Sequence, residues 1–132
     1  MEENIIKRDP KLMSPLQLAY IGDVVYELYV RSFLVETTDL NVNQLHKNAV
    51  KFVKAEAQAE VAKEIMDILS DEEVRIFKRG RNAKSGSIPK NAKLIDYKHA
   101  TGFESLLGYL YILNRKERID ELFEIAKKFI KR

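Results

Sequence analysis

Apolar residues recur three or four positions apart along most of this chain, the period of an α-helix, and no stretch alternates as a half-buried strand would. Ser14-Pro15 reads as a helix start, with Ser14 as N-cap and Pro15 in the first turn. The apolar pattern then runs to about Val35, and Thr37-Thr38-Asp39 breaks it. A second helical region begins near Asn43 and passes through Val50, Val53, Ala57, Val61, Ile65 and Leu69, long enough to carry a kink or break near its start. Ser70-Asp71-Glu72-Glu73 reads as a capping box that opens a short helix ending near Gly80. Arg81 to Asn91, with Gly86 and Pro89, reads as a loop. Two more helices are expected, from about Asp96 to Leu113 and from about Lys116 to Ile130. The last carries Lys127, Lys128 and Lys131 where its dipole favours cations. The sum is an all-α fold, a helical bundle in one domain.

Two residues interrupt the apolar pattern. Asp23 lies within Leu16–Val30 and Glu104 within Ala100–Ile112, both strongly apolar helical segments. A carboxylate is costly in such surroundings unless it is paired, hydrogen-bonded or bound to a metal. Two acids from separate helices suit a hard divalent cation such as Mg²⁺, which takes oxygen ligands and often only one or two carboxylates. From spacing alone, metal binding and structural hydrogen bonding stay equally open. Gly22, Gly102 and Gly108 fall inside predicted helices, where glycine costs about 1 kcal/mol relative to alanine. Close helix packing is the preferred explanation for Gly108; for Gly22, close packing and room for a metal weigh equally.

Composition narrows the picture. The 132 residues are 45% apolar and 33% charged, as in an ordinary globular protein, and include no cysteine. Disulfides, thiolate metal sites and cysteine nucleophiles are thereby excluded. No apolar run reaches the roughly 18–20 residues that span a bilayer, and the acidic start Met1-Glu2-Glu3-Asn4 is unlike a signal peptide. A cytoplasmic protein is expected. The net charge is only +3, yet the acid-free window from Arg75 to Ile95 holds seven cations, which leaves the rest of the chain at −4. Such concentration is the footprint of a phosphate-facing surface. Lys78, Arg79, Arg81, Lys84, Lys90 and Lys93 are the candidate contacts, with Asn82 and Asn91 as polar additions.

The order of motifs carries a family resemblance. Ile21-Gly22-Asp23-Val24-Val25-Tyr26-Glu27 resembles the signature helix of the ribonuclease III catalytic domain, and Phe103-Glu104-Ser105-Leu106-Leu107-Gly108-Tyr109 resembles that family's second acidic motif. Asn43–Lys47, Lys78–Ala83 and Gly86–Asn91 are similar to its short branch, Mini-ribonuclease III. The resemblance covers roughly Ser14 to Leu113 in order. Ala19 and Thr101 stand where the larger enzymes carry further acids, so fewer carboxylates are expected here. With one helix expected beyond Leu113, the double-stranded-RNA-binding domain of those enzymes is not expected here.

The resemblance implies a Mg²⁺-dependent endoribonuclease, with Mn²⁺ as a substitute. It cuts double-stranded RNA to 5′-phosphate and 3′-hydroxyl ends and works as a homodimer. Asp23 and Glu104 become the metal-binding and catalytic residues. Lys78, Arg79, Arg81, Asn82, Lys84, Lys90 and Lys93 become the RNA-binding set. The branch further implies maturation of large-subunit ribosomal RNA precursors. Without an attached RNA-binding domain, a ribosomal protein that presents the substrate is a further expected partner.

Other residues take plainer readings. Glu27, four after Asp23 on the same helical face, stands as a further acid near a metal there, but an ion pair with Arg31 at i+4 is the preferred reading. His46 is expected to be structural, and His99 a polar surface or cap residue as much as an RNA contact. The tyrosines Tyr20, Tyr26, Tyr29, Tyr109 and Tyr111 are expected in the core or at a dimer interface. A histidine–aspartate phosphohydrolase is disfavoured, since neither histidine precedes an aspartate. The main rival is a non-catalytic RNA-binding module on the same fold; a helical protein adaptor ranks third.

Overall fold

Helix starts are written locally in this chain, and the structure uses them. Ser14 Oγ accepts from Gln17 N at 3.1 Å while the Gln17 side chain accepts from Ser14 N at 3.1 Å, a capping box that launches α1 (Pro15–Thr37). The expected box at Ser70 and Glu73 launches α4 (Asp71–Arg81). An unanticipated third box, Asn41 with Gln44, launches α2 (Val42–Val53). Each such cap contributes about 1 kcal/mol. The computed structural model describes residues 4–84 and 93–130, and these hold six α-helices, two short 3-10 turns and no strand. The remaining helices are α3 (Ala55–Ile65), α5 (Leu94–Ile112) and α6 (Lys116–Ile130).

The second helical region breaks at Lys54, in its middle and not near its start. Lys54 is extended, with φ −67° and ψ 157°, and it separates α2 from α3 without proline or glycine. Val53 O at this break accepts from the side chain of Gln58, at 2.7 Å. The helix expected to start near Asp96 starts at Leu94.

α5 runs through the middle of the bundle. Phe103, Leu106, Leu107, Tyr109 and Leu110 are at most 1% exposed, because α1, α3, α4 and α6 all pack on it. Burying each large side chain stabilises the fold by about 1.5–3 kcal/mol. Tyr26 of α1 meets Phe103 of α5 edge-on, with ring centroids 5.0 Å apart. Arg118 of α6 forks onto Glu73 of α4 at 2.8 and 2.9 Å and donates to Ile68 O. No described helix is long and apolar enough to cross a membrane.

Glycines decide how closely the helices cross. A Cβ on Gly22 would lie 1.7 Å from Glu104 O, and one on Gly108 would lie 1.9 Å from Leu18 O. The backbones of α1 and α5 therefore touch, which only residues without side chains allow. Close packing explains both glycines, and Gly22 leaves no room for a metal: the carbonyl of Glu104 fills the space. Gly80 and Gly102 do the same for α4 on α5, where a Cβ on Gly102 would lie 2.7 Å from Phe77 O.

Candidate active site

The α1–α5 crossing brings the two sequence-marked acids together. Gly22 rests on the carbonyl of Glu104, so the next residue, Asp23, projects beside the Glu104 side chain. The two carboxyl groups meet in hydrogen-bond contact. Their surroundings differ. Glu104 is largely enclosed, whereas Asp23 lies exposed on the open face of α1. The expectation that both acids sit in costly apolar surroundings holds for Glu104 alone. Tyr20 and Val24, which flank Asp23, are themselves 79% and 65% exposed.

Burial and the Asp23 carboxylate together push the Glu104 carboxyl up to about 8, while a hydrogen bond from Gln58 opposes the rise. A carboxyl whose folded pKa is raised stabilises the fold below the ordinary carboxylate range, and that contribution is lost as pH climbs toward about 8. Without divalent ions, Glu104→Gln is therefore expected to melt roughly 5 °C above the wild type at pH 8.5, with the difference closing by pH 5. Thermal melts in EDTA across that range would show it. A gap that does not depend on pH would mean that Glu104 is not pressed against Asp23.

The donor set fits a hard cation. Two carboxylates in contact, one enclosed and one open to solvent, repel each other until a positive ion or a proton joins them. No group of three acidic, histidine or cysteine side chains placed to hold a metal occurs among the described residues. Ala19 is buried, and buried Thr101 donates to Tyr97 O at 2.9 Å, so neither position adds a ligand. Ser105, next to Glu104, is fully enclosed and donates to Pro15 O at 2.8 Å, which ties α5 to the start of α1.

The last turn of α4, which carries several of the basic residues, packs on α5. Gly80, in the last turn of α4, packs against Gly102 and Ser105, so this cationic helix end lies within a turn of Glu104. Lys78, Asn82, Lys84 and Lys93 are exposed and Arg81 is half-buried, its Nε donating to Asn82 Oδ1 at 3.2 Å. Arg79 is partly committed elsewhere, since its guanidinium donates to Met13 O at 3.1 Å. Lys90, Asn91 and the Gly86–Asn91 motif lie outside the described residues, as does Lys131.

Glu27 pairs with Arg31 at 3.2 Å as expected. His99 Nδ1 bonds Ile95 O at 2.8 Å and its ring leans on Phe77, a packing role. His46 is exposed on α2, which gives it no visible structural task. Tyr26 and Tyr109 are core residues, Tyr29 is half-buried, and Tyr20 and Tyr111 are exposed. Gln58, unnoticed in the sequence, touches Glu104 directly, Nε2 to Oε2 at 3.2 Å. Its signal was a polar residue three before Val61 and seven before Ile65, on the buried side of a helix.

Fold and site together define a class: an all-helical domain in which two long helices cross at glycines and join two acids, with a cationic helix end packed on the second of them. Comparison with known proteins is specific. Residues 16–115 match the family described as Ribonuclease III domain. The Mini-ribonuclease 3 of Clostridium tetani is 49% identical over 94% of this chain and 83% of its own length. That of Brevibacillus brevis is also 49% identical, over 96% of this chain and 94% of its own. A crystal structure of a Fusobacterium nucleatum protein superposes with a TM-score of 0.83 at 31% identity, covering 92% of this chain and 98% of that one. The chain belongs to the ribonuclease III family, and within it to the Mini-ribonuclease 3 group. RNA is accordingly its class of substrate.

Proposed function

We propose that this protein is a homodimeric, Mg²⁺-dependent endoribonuclease that hydrolyses double-stranded RNA in the cytoplasm, with maturation of large-subunit ribosomal RNA precursors as its task. The observation that carries this reading is the contact between the Asp23 and Glu104 carboxyl groups, the second of them on a helix against which the basic end of α4 packs. Asp23 and Glu104 are the residues that would hold the cation. The chemistry that Mg²⁺ supplies in such a site is polarisation of a phosphodiester and acidification of water near neutral pH. Glu104, enclosed and hydrogen-bonded, is the fixed half of the pair. Asp23, open to solvent, is the half that substrate reaches. Without a cation the pair repels phosphate, so substrate binding and metal binding support each other. The products are 5′-phosphate and 3′-hydroxyl ends, as the family resemblance implies.

Lys78, Arg81, Lys84 and Lys93 supply phosphate contacts, which suits an A-form duplex read by shape and backbone. Arg79 serves less freely because of its bond to Met13 O. Lys78→Ala with Lys84→Ala is expected to weaken duplex binding and to flatten the log–log salt dependence by about one to two units, near one for each phosphate no longer neutralised. Binding titrations from low to moderate salt would report this, and an unchanged slope would remove both lysines from the interface.

Support for the homodimer comes from α1. Leu16, Tyr20, Val24 and Leu28, four residues apart, are 40–79% exposed and form an apolar stripe along one face. A second copy of the chain is the natural cover for a stripe that flanks Asp23.

The test is cleavage of a labelled RNA duplex with Mg²⁺, with EDTA, and with Asp23→Asn. The small number of carboxylates, with Ala19 and Thr101 buried, favours the second reading, a non-catalytic RNA-binding module. Binding without cutting in wild type would select it.

A further inference from the structure

Gln58 is 2% exposed on α3, where an apolar residue would be expected. Its carboxamide makes two bonds from Nε2, to Val53 O at 2.7 Å and to Glu104 Oε2 at 3.2 Å, which uses both amide hydrogens. Among the described residues nothing meets its Oε1, although that atom is buried. The reversed amide would set Oε1 against a carbonyl and a carboxylate, acceptor against acceptor, so the surroundings dictate this orientation. A buried acceptor without a partner costs about 1–3 kcal/mol, and leucine at this place would avoid the cost. The polar side chain is therefore explained by what its donor does, and what its donor does is hold Glu104.

The hold is directional. Val53 O lies at the α2–α3 break, so the carboxamide is anchored to backbone before it reaches the acid. Glu104 is consequently fixed at three points: its carbonyl on Gly22, its carboxyl group against Asp23, and its Oε2 on Gln58. We infer that Gln58 is a positioning residue of the cation site, whose Nε2–H holds the Glu104 carboxylate turned toward Asp23 so that the two acids present oxygens to one divalent ion. Without it, Glu104 relieves its repulsion from Asp23 by rotating away, and the ion must supply the ordering that Gln58 now provides. This inference rests on the cation reading of the acid pair proposed above.

The experiment is Mn²⁺ binding to the full chain without RNA, followed by electron paramagnetic resonance, for wild type, Gln58→Met and Asp23→Asn. Methionine keeps the length and volume of glutamine and donates nothing; Gln58→Leu is the second variant should the first not fold. Each is measured where its far-ultraviolet circular dichroism superposes on that of wild type. The Mn²⁺ Kd of Gln58→Met is expected to rise roughly tenfold, the loss of one hydrogen bond to a charged group. Cleavage by this variant should recover as metal is raised, a rescue that a merely structural defect would not show. Wild-type affinity in Gln58→Met, with binding lost in Asp23→Asn, overturns this inference and leaves the acid pair standing. Equal binding by wild type and Asp23→Asn overturns both.

Discussion

Asp23→Asn is expected to lower the rate of RNA duplex cleavage on the order of 10³-fold or more at saturating Mg²⁺. The substitution keeps shape and removes one of the two carboxylates that meet there among the described residues. Glu104 alone then faces the cation, and a single enclosed carboxylate is a poor ligand set for an ion that prefers several oxygens. The fold should be untouched, because Asp23 is exposed at the edge of the buried face on which Gly22, Tyr26 and Val30 hold the helix. Removal of the Asp23 charge also takes away one of the causes that push Glu104 up, so metal-free stability should hold or rise slightly. RNA affinity should persist, since an acid has been removed from the surface proposed to face phosphate. Single-turnover cleavage, melting temperature and duplex binding measured on one preparation separate these effects. Wild-type cutting by this variant would end the proposal that the acid pair does the chemistry, whatever its binding data showed.

Gly22→Ala is expected to cost several kcal/mol, enough to unfold much of a domain whose whole stability is of the order of 5–15 kcal/mol. The new methyl would lie 1.7 Å from Glu104 O, 2.6 Å from Glu104 C and 2.9 Å from Gly108 N. All three are backbone atoms, so no rotamer change relieves the clash, and α1 must move off α5 as a body. That movement loosens the edge-on contact of Tyr26 with Phe103 and carries Asp23 away from Glu104. Gly108→Ala should behave alike, with its methyl 1.9 Å from Leu18 O. Gly80→Ala is the milder comparison, because its nearest clash, 2.4 Å, is with the Ser105 hydroxyl, part of a side chain. Urea melts of the three variants would rank them. If Gly22→Ala melted with wild type and still bound Mn²⁺, the backbone contact that joins the two acids would be disproved.

The exposed apolar stripe on α1 and the enclosed acid on α5 meet one problem from two sides. A helix apolar almost all round is normally buried, and α5 is. α1 has the same composition, but its Leu16–Leu28 stripe is open. Asp23 stands beside that stripe, so whatever covers it also forms one wall of the site. A dimer would then complete both the hydrophobic surface and the surroundings of the acids.

Much of this was legible along the chain. The helical period set the approximate limits of five helical regions, the second of which the structure divides into α2 and α3, since side-chain spacing is a local property. Ser14 with Gln17 and Ser70 with Glu73 placed two starts correctly, because a cap bonds within its own four residues. The Gly22-Asp23 and Glu104 motifs marked the acids and the family, and the acid-free run marked the cationic surface. The break at Lys54, the buried Gln58, the bond from Arg79 to Met13 and the exposure of Asp23 were not legible. Each depends on which residue from a distant segment arrives opposite. Sequence by itself therefore determined where the helical regions lie and which residues are candidates for chemistry, for both are read from local spacing and motif. The tertiary structure alone decided that Asp23 and Glu104 share a site and that Gln58 holds one of them. Those contacts come from two helices crossing where glycines let their backbones touch, and no local spacing encodes that crossing.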